Sequence, residues 1–297
     1  MGAVQAREER MSTTAERPTD ITEHEAEQVE RANASGRVPV VFIHGLWLLP
    51  SSWDRWGEFF EEAGFTAVKP GWPDDPETVA DARAHPEVFA GKTVGQVANH
   101  FSAVIRRLSK KPAVIGHSFG GLLTQIIAGR SLAAASVAID PAPFRGVLPL
   151  AISALKAASP VLQNPTNWSK AIPLTYKQFR FAFANAVSEA GAKELYENYA
   201  VAAPGAPLFQ AATANINPWT EVKVDTANPD RGPLLIIDGE KDNTVPWAIA
   251  NASYKKQKRN PGVTEIKKVP GRGHALTIDG GWKDVAEVSL AFIKRFV

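Results

Sequence analysis

Cysteine is absent from the 297 residues of this chain. Its absence excludes disulfide bonds, thiolate metal sites and a cysteine nucleophile, but it does not fix the compartment. No run of residues approaches the roughly 18 consecutive apolar side chains of a transmembrane helix. Residues 1–37 also lack the apolar core of a signal peptide. We therefore expect a cytoplasmic protein with no membrane span.

A strong excess of one charge is also missing. The 33 Lys and Arg residues face 31 Asp and Glu residues, which leaves a net charge of +2. This balance gives no electrostatic case for binding nucleic acid or an anionic membrane. One local basic cluster is interpreted as a solvated helix end, and it consists of Lys255, Lys256, Lys258 and Arg259.

The N-terminal part of the chain differs in composition from the rest. Residues 1–37 are rich in Glu, Arg, Thr and Ala, which predicts a flexible leader with residues 20–31 as its one helix candidate. Met11 is a candidate for the natural start. No linker divides the chain after residue 37, and a hydrophobic content of 44% is enough to fill a substantial core.

The most informative segment is Gly116-His117-Ser118-Phe119-Gly120. A short apolar run precedes it and apolar residues recur at helical spacing after it, so strand, turn and helix follow one another. A serine on such a sharp turn needs small neighbours two residues away on each side. The segment predicts Ser118 as an exposed nucleophile at the N-terminus of a helix.

A serine hydroxyl is a weak nucleophile that needs a base within hydrogen-bond reach. His274 is the candidate base, because it lies in a glycine-rich loop after the predicted strand 264–269. The other histidines are assigned elsewhere: His24 to the leader, His85 to a proline-flanked loop, His100 to a helix, His44 to bracing a loop, and His117 to a position pointing away from the serine.

The base needs an acid that orients it, and two aspartates compete for this role. Asp242 follows the buried run 233–237, and Asp140 ends the predicted strand after the Ser118 helix. Both have the strand-then-loop setting of a catalytic acid. Asp242 is preferred within its segment, because Asp238 still belongs to the buried run and Glu240 is expected in a solvated turn. Asp140 remains the alternative.

Hydrogen-bond donors must also face the negative charge that develops on a substrate oxygen. The apolar run 38–43 opens into the loop His44-Gly45-Leu46-Trp47. We nominate the backbone N–H groups of Leu46 and Phe119 as the oxyanion donors.

A long excursion separates the strand ending at Asp140 from the one starting at Leu234. Residues 141–232 exceed the length of an ordinary loop, so a helical cap is expected there, with helices predicted at 147–158 and 176–187. Trp47, Trp168 and Phe183 are candidates for the substrate pocket. The alternative for all three is packing of the cap on the sheet.

Taken together, these motifs resemble those of the α/β-hydrolase superfamily, and most closely its capped serine hydrolases of the esterase and haloperoxidase kinds. The resemblance implies an α/β fold with a mostly parallel central sheet flanked by helices. It further implies a core of residues 38–140 and 233–297, a cap inserted at 141–232, and no cofactor or metal. Strands are predicted at 38–43, 66–69, 113–115, 136–139, 234–237 and 264–269, and core helices at 94–108, 122–130, 248–256 and 282–296.

The expected activity is hydrolysis of carboxylic esters or lactones of small to medium, mainly apolar molecules through an acyl-enzyme. Serine at position 118, where dehalogenases and epoxide hydrolases carry aspartate, argues against those two activities. Two alternatives stay open: acyl transfer to peroxide, as in perhydrolases and haloperoxidases, and a small-molecule receptor without turnover. A small-molecule substrate is the expected partner, and nucleic acid is not.

Overall fold

The computed structural model describes residues 21–148 and 151–297, and its central element is a six-stranded sheet. The strands are β1 (Pro39–Ile43), β2 (Thr66–Val68), β3 (Ala113–His117), β4 (Ala135–Ile139), β5 (Ala171–Ile172), β6 (Ala203–Pro204), β7 (Leu234–Gly239) and β8 (Thr264–Val269). The large sheet has the order β2-β1-β3-β4-β7-β8, and every neighbouring pair is parallel. The mostly parallel sheet expected from the sequence is therefore confirmed.

Helices cover both faces of this sheet. The helices of the described residues are α1 (Glu23–Ser35), α2 (Asp54–Glu62), α3 (Val79–Ala84), α4 (Val94–Arg106), α5 (Phe119–Gly129), α6 (Ile152–Leu162), α7 (Tyr176–Ala182), α8 (Glu189–Tyr199), α9 (Ala206–Thr213), α10 (Trp247–Gln257) and α11 (Trp282–Ile293). Helices α2 and α11 pack on one face through a cluster around Phe42, Trp56 and Phe292. Helices α1, α4 and α5 share the other face with α10.

The apolar runs of the sequence became the inner strands. Strands β1, β3, β4 and β7 are buried along their whole length, as expected for parallel strands covered on both faces. Strand β8 lies at the edge and is only partly buried, which agrees with its mixed sequence of Thr, Glu and Lys residues. All six predicted strands occur within two residues of their expected bounds.

The N-terminal helix is longer and better packed than the leader prediction implied. Helix α1 begins at a capping box in which the Thr22 and Glu25 side chains each accept from the other's backbone N–H. Val29 and Ala32 are buried in the main core. Residues 23–35 are thus part of the folded unit, in contrast to the flexible leader expected there. The interpretation of residues 1–20, including Met11 as a start, lies outside the described residues.

Residues 141–232 lie between β4 and β7 and are called the insertion below. They contain α6 to α9 and the antiparallel pair β5 and β6. The helix expected at 147–158 begins only at Ile152, and the one expected at 176–187 ends at Ala182. Among the described residues, no helix combines the length and the apolar character needed to cross a membrane.

Candidate active site

Ser118 lies on the turn between β3 and α5, where the backbone is strained. Its φ of 58° and ψ of −120° fall in a region that non-glycine residues rarely adopt. The neighbouring glycines are sterically required: a Cβ on Gly116 would lie 2.1 Å from the Gly120 carbonyl oxygen, and one on Gly120 would lie 2.0 Å from that of Ile43. The turn holds Ser118 at the carboxyl end of the sheet, with the N-terminus of α5 beside it.

A continuous chain of hydrogen bonds joins the three residues singled out in the sequence. His274 Nε2 lies 3.0 Å from Ser118 Oγ, and His274 Nδ1 lies 2.6 Å from Asp242 Oδ2. His274 is fully buried and the other two residues are nearly so. In this geometry the imidazole can accept the serine proton on one nitrogen while the carboxylate orients the other.

The backbone holds the second oxygen of Asp242. Its Oδ1 accepts from the N–H groups of Thr244 and Val245, at 2.6 Å and 2.9 Å. Asp140 instead accepts from the Gly239 N–H at 2.9 Å and makes no hydrogen bond to the His274 ring. The geometry favours Asp242 over Asp140 as the acid.

The loop after β1 passes very close to Ser118. A Cβ on Gly45 would lie 2.7 Å from the Ser118 Cβ, so only glycine fits there. The Leu46 N–H donates to no other described residue. The Phe119 N–H belongs to the first turn of α5 and has no partner within the helix. Neither nominated donor is bonded to another described residue, and both belong to segments that adjoin Ser118.

His44 braces this loop, as its position in the sequence suggested. Its Nδ1 lies 2.9 Å from the Gly45 carbonyl oxygen and its Nε2 lies 2.8 Å from Asp75 Oδ2. The Gly45 carbonyl and the Leu46 N–H belong to one planar peptide unit. Fixing the carbonyl therefore fixes the direction of the Leu46 N–H. Asp75, which the sequence did not single out, completes this support.

We expect Asp75→Asn to reduce kcat while changing KM little, because the Leu46 N–H would lose its fixed direction. Outright removal of an oxyanion donor costs about 10²–10³-fold in kcat, and a misdirected donor should cost less. Steady-state kinetics with a soluble ester measure the effect. The exposed Asp81→Asn serves as a control. A change confined to KM would assign Asp75 to the substrate pocket instead.

His117 has a role that the sequence did not reveal. Its ring makes no hydrogen bond to Ser118, and its Nε2 lies 2.7 Å from the backbone carbonyl oxygen of His274. Burial, reinforced by the neighbouring His274, holds the pKa of His117 well below its ordinary value. The ring is therefore neutral, and Nε2–H can donate to that carbonyl. His117 thus supports the backbone of the loop that carries the base.

The insertion closes over the site along residues 181–185. The Phe183 ring centroid lies 4.9 Å from that of His274 and 6.1 Å from that of Trp47. Trp47 Nε1 donates to the Ile172 carbonyl, 2.9 Å away in the insertion. Trp168 is not brought to the site, because it is half-exposed and its ring packs against Phe209.

Hydrogen bonds attach the same part of the insertion to the loop that carries Asp242. Asn243 Nδ2 donates to the Phe181 carbonyl at 3.0 Å, and Thr244 Oγ1 donates to the Ala182 carbonyl at 2.8 Å. Asn185 Nδ2 donates to the Lys241 carbonyl at 2.7 Å. The insertion and the acid loop therefore support one another.

Three buried carboxylates lie side by side behind the imidazole. Asp140, Asp238 and Asp242 have oxygens within 4.8 Å of one another, and His117, Asp140 and His274 form a second group of that kind among the described residues. Both carboxylate oxygens of Asp238 lack a hydrogen-bond donor in the described structure. Burial, with the charge of Asp242, raises the pKa of Asp238 to about 9. Burial and the charges of Asp242 and Asp238 also raise the pKa of Asp140 well above its ordinary value. Among the described residues, Asp242 accepts from two backbone N–H groups, whereas Asp140 accepts from one and Asp238 from none.

This arrangement predicts that the protein loses stability as the pH rises. The pKa of Asp238 is about 9 in the folded state, whereas that of an aspartate in the unfolded chain is about 3.9. Between these two pH values the folded protein holds a proton that the unfolded chain has released. Stability then falls from about pH 4 to pH 9. Asp238→Asn should flatten the decline in Tm over this range, and the Asp140 contribution should remain.

Melting curves at pH 5, 7 and 9 test this prediction. The exposed Asp284→Asn is the matched control and should follow the wild type at each pH. Equal slopes for wild type and Asp238→Asn would show that Asp238 is ionised in the folded protein.

Known structures share this fold at low sequence identity. The monoacylglycerol lipase of Paleococcus ferrophilus is 17% identical with a TM-score of 0.60, over 87% of this chain and 95% of its own. An extracellular alpha/beta-hydrolase from a Paenibacillus species is 19% identical with a TM-score of 0.59, over 86% and 98%. A thermophilic esterase from Thermogutta terrifontis is 15% identical with a TM-score of 0.60, over 87% and 90%.

A family model described as the alpha/beta hydrolase family matches residues 40–288. No curated protein matches the sequence significantly. The match includes the turn that carries Ser118, called the elbow below, and the segments that carry Asp242 and His274. This chain belongs to the alpha/beta hydrolase family.

Proposed function

We propose that this protein is a serine hydrolase of carboxylic esters, lactones included, that acts through an acyl-enzyme. The observation that carries the proposal is the hydrogen-bond chain from Asp242 through His274 to Ser118 Oγ, at 2.6 Å and 3.0 Å. A nucleophile, a base and an orienting acid at these distances are the parts that acyl transfer requires.

In the proposed first half-reaction, Ser118 Oγ attacks the ester carbonyl carbon while His274 Nε2 takes its proton. The carbonyl π electrons move onto oxygen, where the N–H groups of Leu46 and Phe119 bind the charge. The tetrahedral intermediate collapses, the bond to the alcohol oxygen breaks, and His274 returns the proton to the leaving alcohol.

In the second half-reaction, water attacks the acyl-enzyme with His274 again as base. Collapse of this intermediate releases the acid and restores Ser118. Asp242 keeps its negative charge throughout and stabilises the imidazolium that forms twice in the cycle.

The surroundings of Ser118 favour an apolar substrate. Leu46, Trp47 and Phe183 are buried around it, and the insertion supplies Phe183. We assign the insertion the role of a cap that excludes water from the acyl-enzyme and shapes the acyl or alcohol pocket. Ser118 is only 4% exposed, which supports a cap that opens to admit the substrate.

Two measurements test the proposal together. Wild-type protein is assayed against p-nitrophenyl esters of increasing acyl length and a set of lactones, and a fluorophosphonate probe is mapped by peptide mass spectrometry. We expect turnover and labelling at Ser118. Labelling elsewhere, or tight binding of esters without turnover, would overturn the proposal, and the second result would support a receptor. If the acyl group were transferred to added peroxide in preference to water, the physiological acceptor would be peroxide and the activity that of a perhydrolase.

We expect Phe183→Ala to change the preference between short and long acyl chains. Its ring meets that of His274 at an interplanar angle of 74° with the centroids 4.9 Å apart, so truncation enlarges the space beside the acyl group. A pocket change of this kind shifts relative kcat/KM by about 1–3 kcal/mol.

Trp168→Ala is the matched control for this prediction. Trp168 lies in the same insertion but packs on Phe209, so its loss should leave chain-length preference unchanged. kcat/KM across the ester series and the Tm of each variant are measured. A uniform loss across the series for Phe183→Ala would assign that residue to packing alone.

A further inference from the structure

The insertion carries an apolar surface that neither the fold nor the proposed chemistry uses. Five large apolar side chains on it are between 47% and 87% exposed. We call them the apolar surface, and they are Leu148, Ile152, Leu155, Ile216 and Trp219. Among the described residues, they make up five of the eight exposed large apolar side chains, so the exposure is concentrated in one part of the protein.

Hydrogen bonds hold the two segments of this surface together. The Gly146 N–H donates to Asn215 Oδ1 at 2.6 Å, and Asn215 Nδ2 donates to the Val147 carbonyl at 3.0 Å. Leu148 follows Val147 in the chain and Ile216 follows Asn215. These bonds therefore hold the segments of Leu148 and Ile216 next to each other. Ile152 and Leu155 are three residues apart on α6 and therefore share one face of the helix.

The surroundings of the apolar surface are basic. Arg145 Nη1 donates to the Pro218 carbonyl at 2.9 Å, next to Trp219, and Lys156 lies on α6 one turn after Ile152. Arg180 is paired with Glu189 at 2.9 Å, and Glu221 is an acidic residue near Trp219 in the sequence. Lys256, from the basic cluster noted in the sequence, reaches this region, because a Cβ on Gly146 would lie 2.9 Å from its Nζ. The net charge of +2 gave no case for an anionic membrane, but that total conceals this local asymmetry.

We propose that the apolar surface docks onto a lipid surface that carries anionic headgroups. Exposed Trp and aliphatic side chains enter the headgroup boundary, and surrounding Lys and Arg side chains attract the negative surface. Trp219 is suited to this boundary, because its ring is apolar and its N–H can bind water or headgroups.

Two other occupants fit the observations less well. In a two-fold contact between copies of this chain, the same patch faces itself, so the basic residues around one copy would meet those of the other. A protein partner needs a shape that complements its target, whereas these side chains project into solvent. A fluid lipid surface imposes no such demand, and the excess of basic residues complements its charge.

The proposal does not depend on the proposed chemistry, so its test reads binding and not turnover. Full-length Ser118→Ala protein is sedimented with vesicles of phosphatidylcholine alone or of phosphatidylcholine mixed with phosphatidylglycerol, whose headgroups supply the negative surface. We expect binding to the anionic vesicles that weakens as salt is added. Tryptophan emission should shift to the blue, and Trp219→Phe should remove most of that shift.

Variants separate the apolar and the basic contributions. Ile152→Ser combined with Ile216→Ser should lower vesicle binding at least about tenfold, and Lys156→Gln with Lys256→Gln should lower it about fivefold per charge. Val263→Ser and Lys283→Gln are controls of the same kinds at distant exposed positions and should bind as the parent does. Circular dichroism and Tm confirm that each variant is folded.

Three results would overturn the proposal. They are no binding to either vesicle, equal binding to both, and binding that the Ile152 and Ile216 substitutions leave unchanged. Analytical ultracentrifugation without lipid covers the remaining alternative: a dimer that these substitutions dissociate would identify a second copy of the chain as the occupant. Ester turnover by the wild type is measured separately, so a failure of either proposal leaves the other standing.

Discussion

Ser118→Ala should abolish ester turnover while the fold persists. The substitution removes the one hydroxyl within 3.0 Å of His274 Nε2, so no covalent intermediate can form. In a serine protease, loss of this oxygen costs on the order of 10⁶-fold in kcat. The oxyanion donors and substrate binding should still leave roughly 10³–10⁴-fold over the uncatalysed reaction in water.

The measurement combines kcat on a soluble ester with fluorophosphonate labelling and a melting curve. Alanine at position 118 has to adopt the same strained φ of 58° as serine does. The backbone strain is therefore unchanged, and the Tm should stay close to that of the wild type. Ser136→Ala serves as the matched control, because Ser136 is a buried sheet serine away from His274. Labelling of Ser118→Ala at the wild-type rate would refute the assignment of the nucleophile.

Asp242→Asn should lower kcat by about 10⁴-fold, because an amide facing His274 Nδ1 favours the wrong tautomer of the imidazole. The carboxylate accepts from His274 and from two backbone N–H groups. Asparagine can keep the bonds from Thr244 and Val245 with its carbonyl oxygen. The fold should therefore survive while activity falls.

Asp140→Asn provides the comparison, because Asp140 is equally buried and lies beside the same imidazole. It bonds to Gly239 and not to the His274 ring, so its replacement should affect stability more than turnover. The two variants are compared by kcat and by Tm. A larger fall in kcat for Asp140→Asn with an intact fold would reverse the two roles.

The sequence predicted best those features that depend on neighbouring residues. The elbow at Ser118 requires glycines two positions away on either side, and this requirement is visible in five letters. The inner strands are continuous apolar runs, which is why the parallel sheet could be predicted. Asp242 and His274 were chosen from chain order and strand ends, and the structure places both within hydrogen-bond distance of their expected neighbours.

Features that depend on distant partners could not be predicted. The bonds from His44 to Asp75 and from His117 to the His274 carbonyl join residues far apart in the chain. Helix α1 was assigned to a leader, because its packing on the core depends on tertiary contacts that its low hydrophobicity does not reveal. Trp168 and Phe183 were equivalent as aromatic residues of the insertion, and only their packing separates them.

The bonds between residues 181–185 and the acid loop have a consequence for the order of events in a catalytic cycle. If this stretch of the insertion swings aside to admit an ester, Asn243 and Thr244 lose their carbonyl partners. The loop that positions Asp242 would then loosen, and His274 with it. In the mechanism proposed above, such an opening would leave the triad disordered, and catalysis would require the insertion to close again over the bound substrate. Substrate entry and chemistry would then alternate, and the proposed acyl-enzyme would form only while the insertion excludes other nucleophiles.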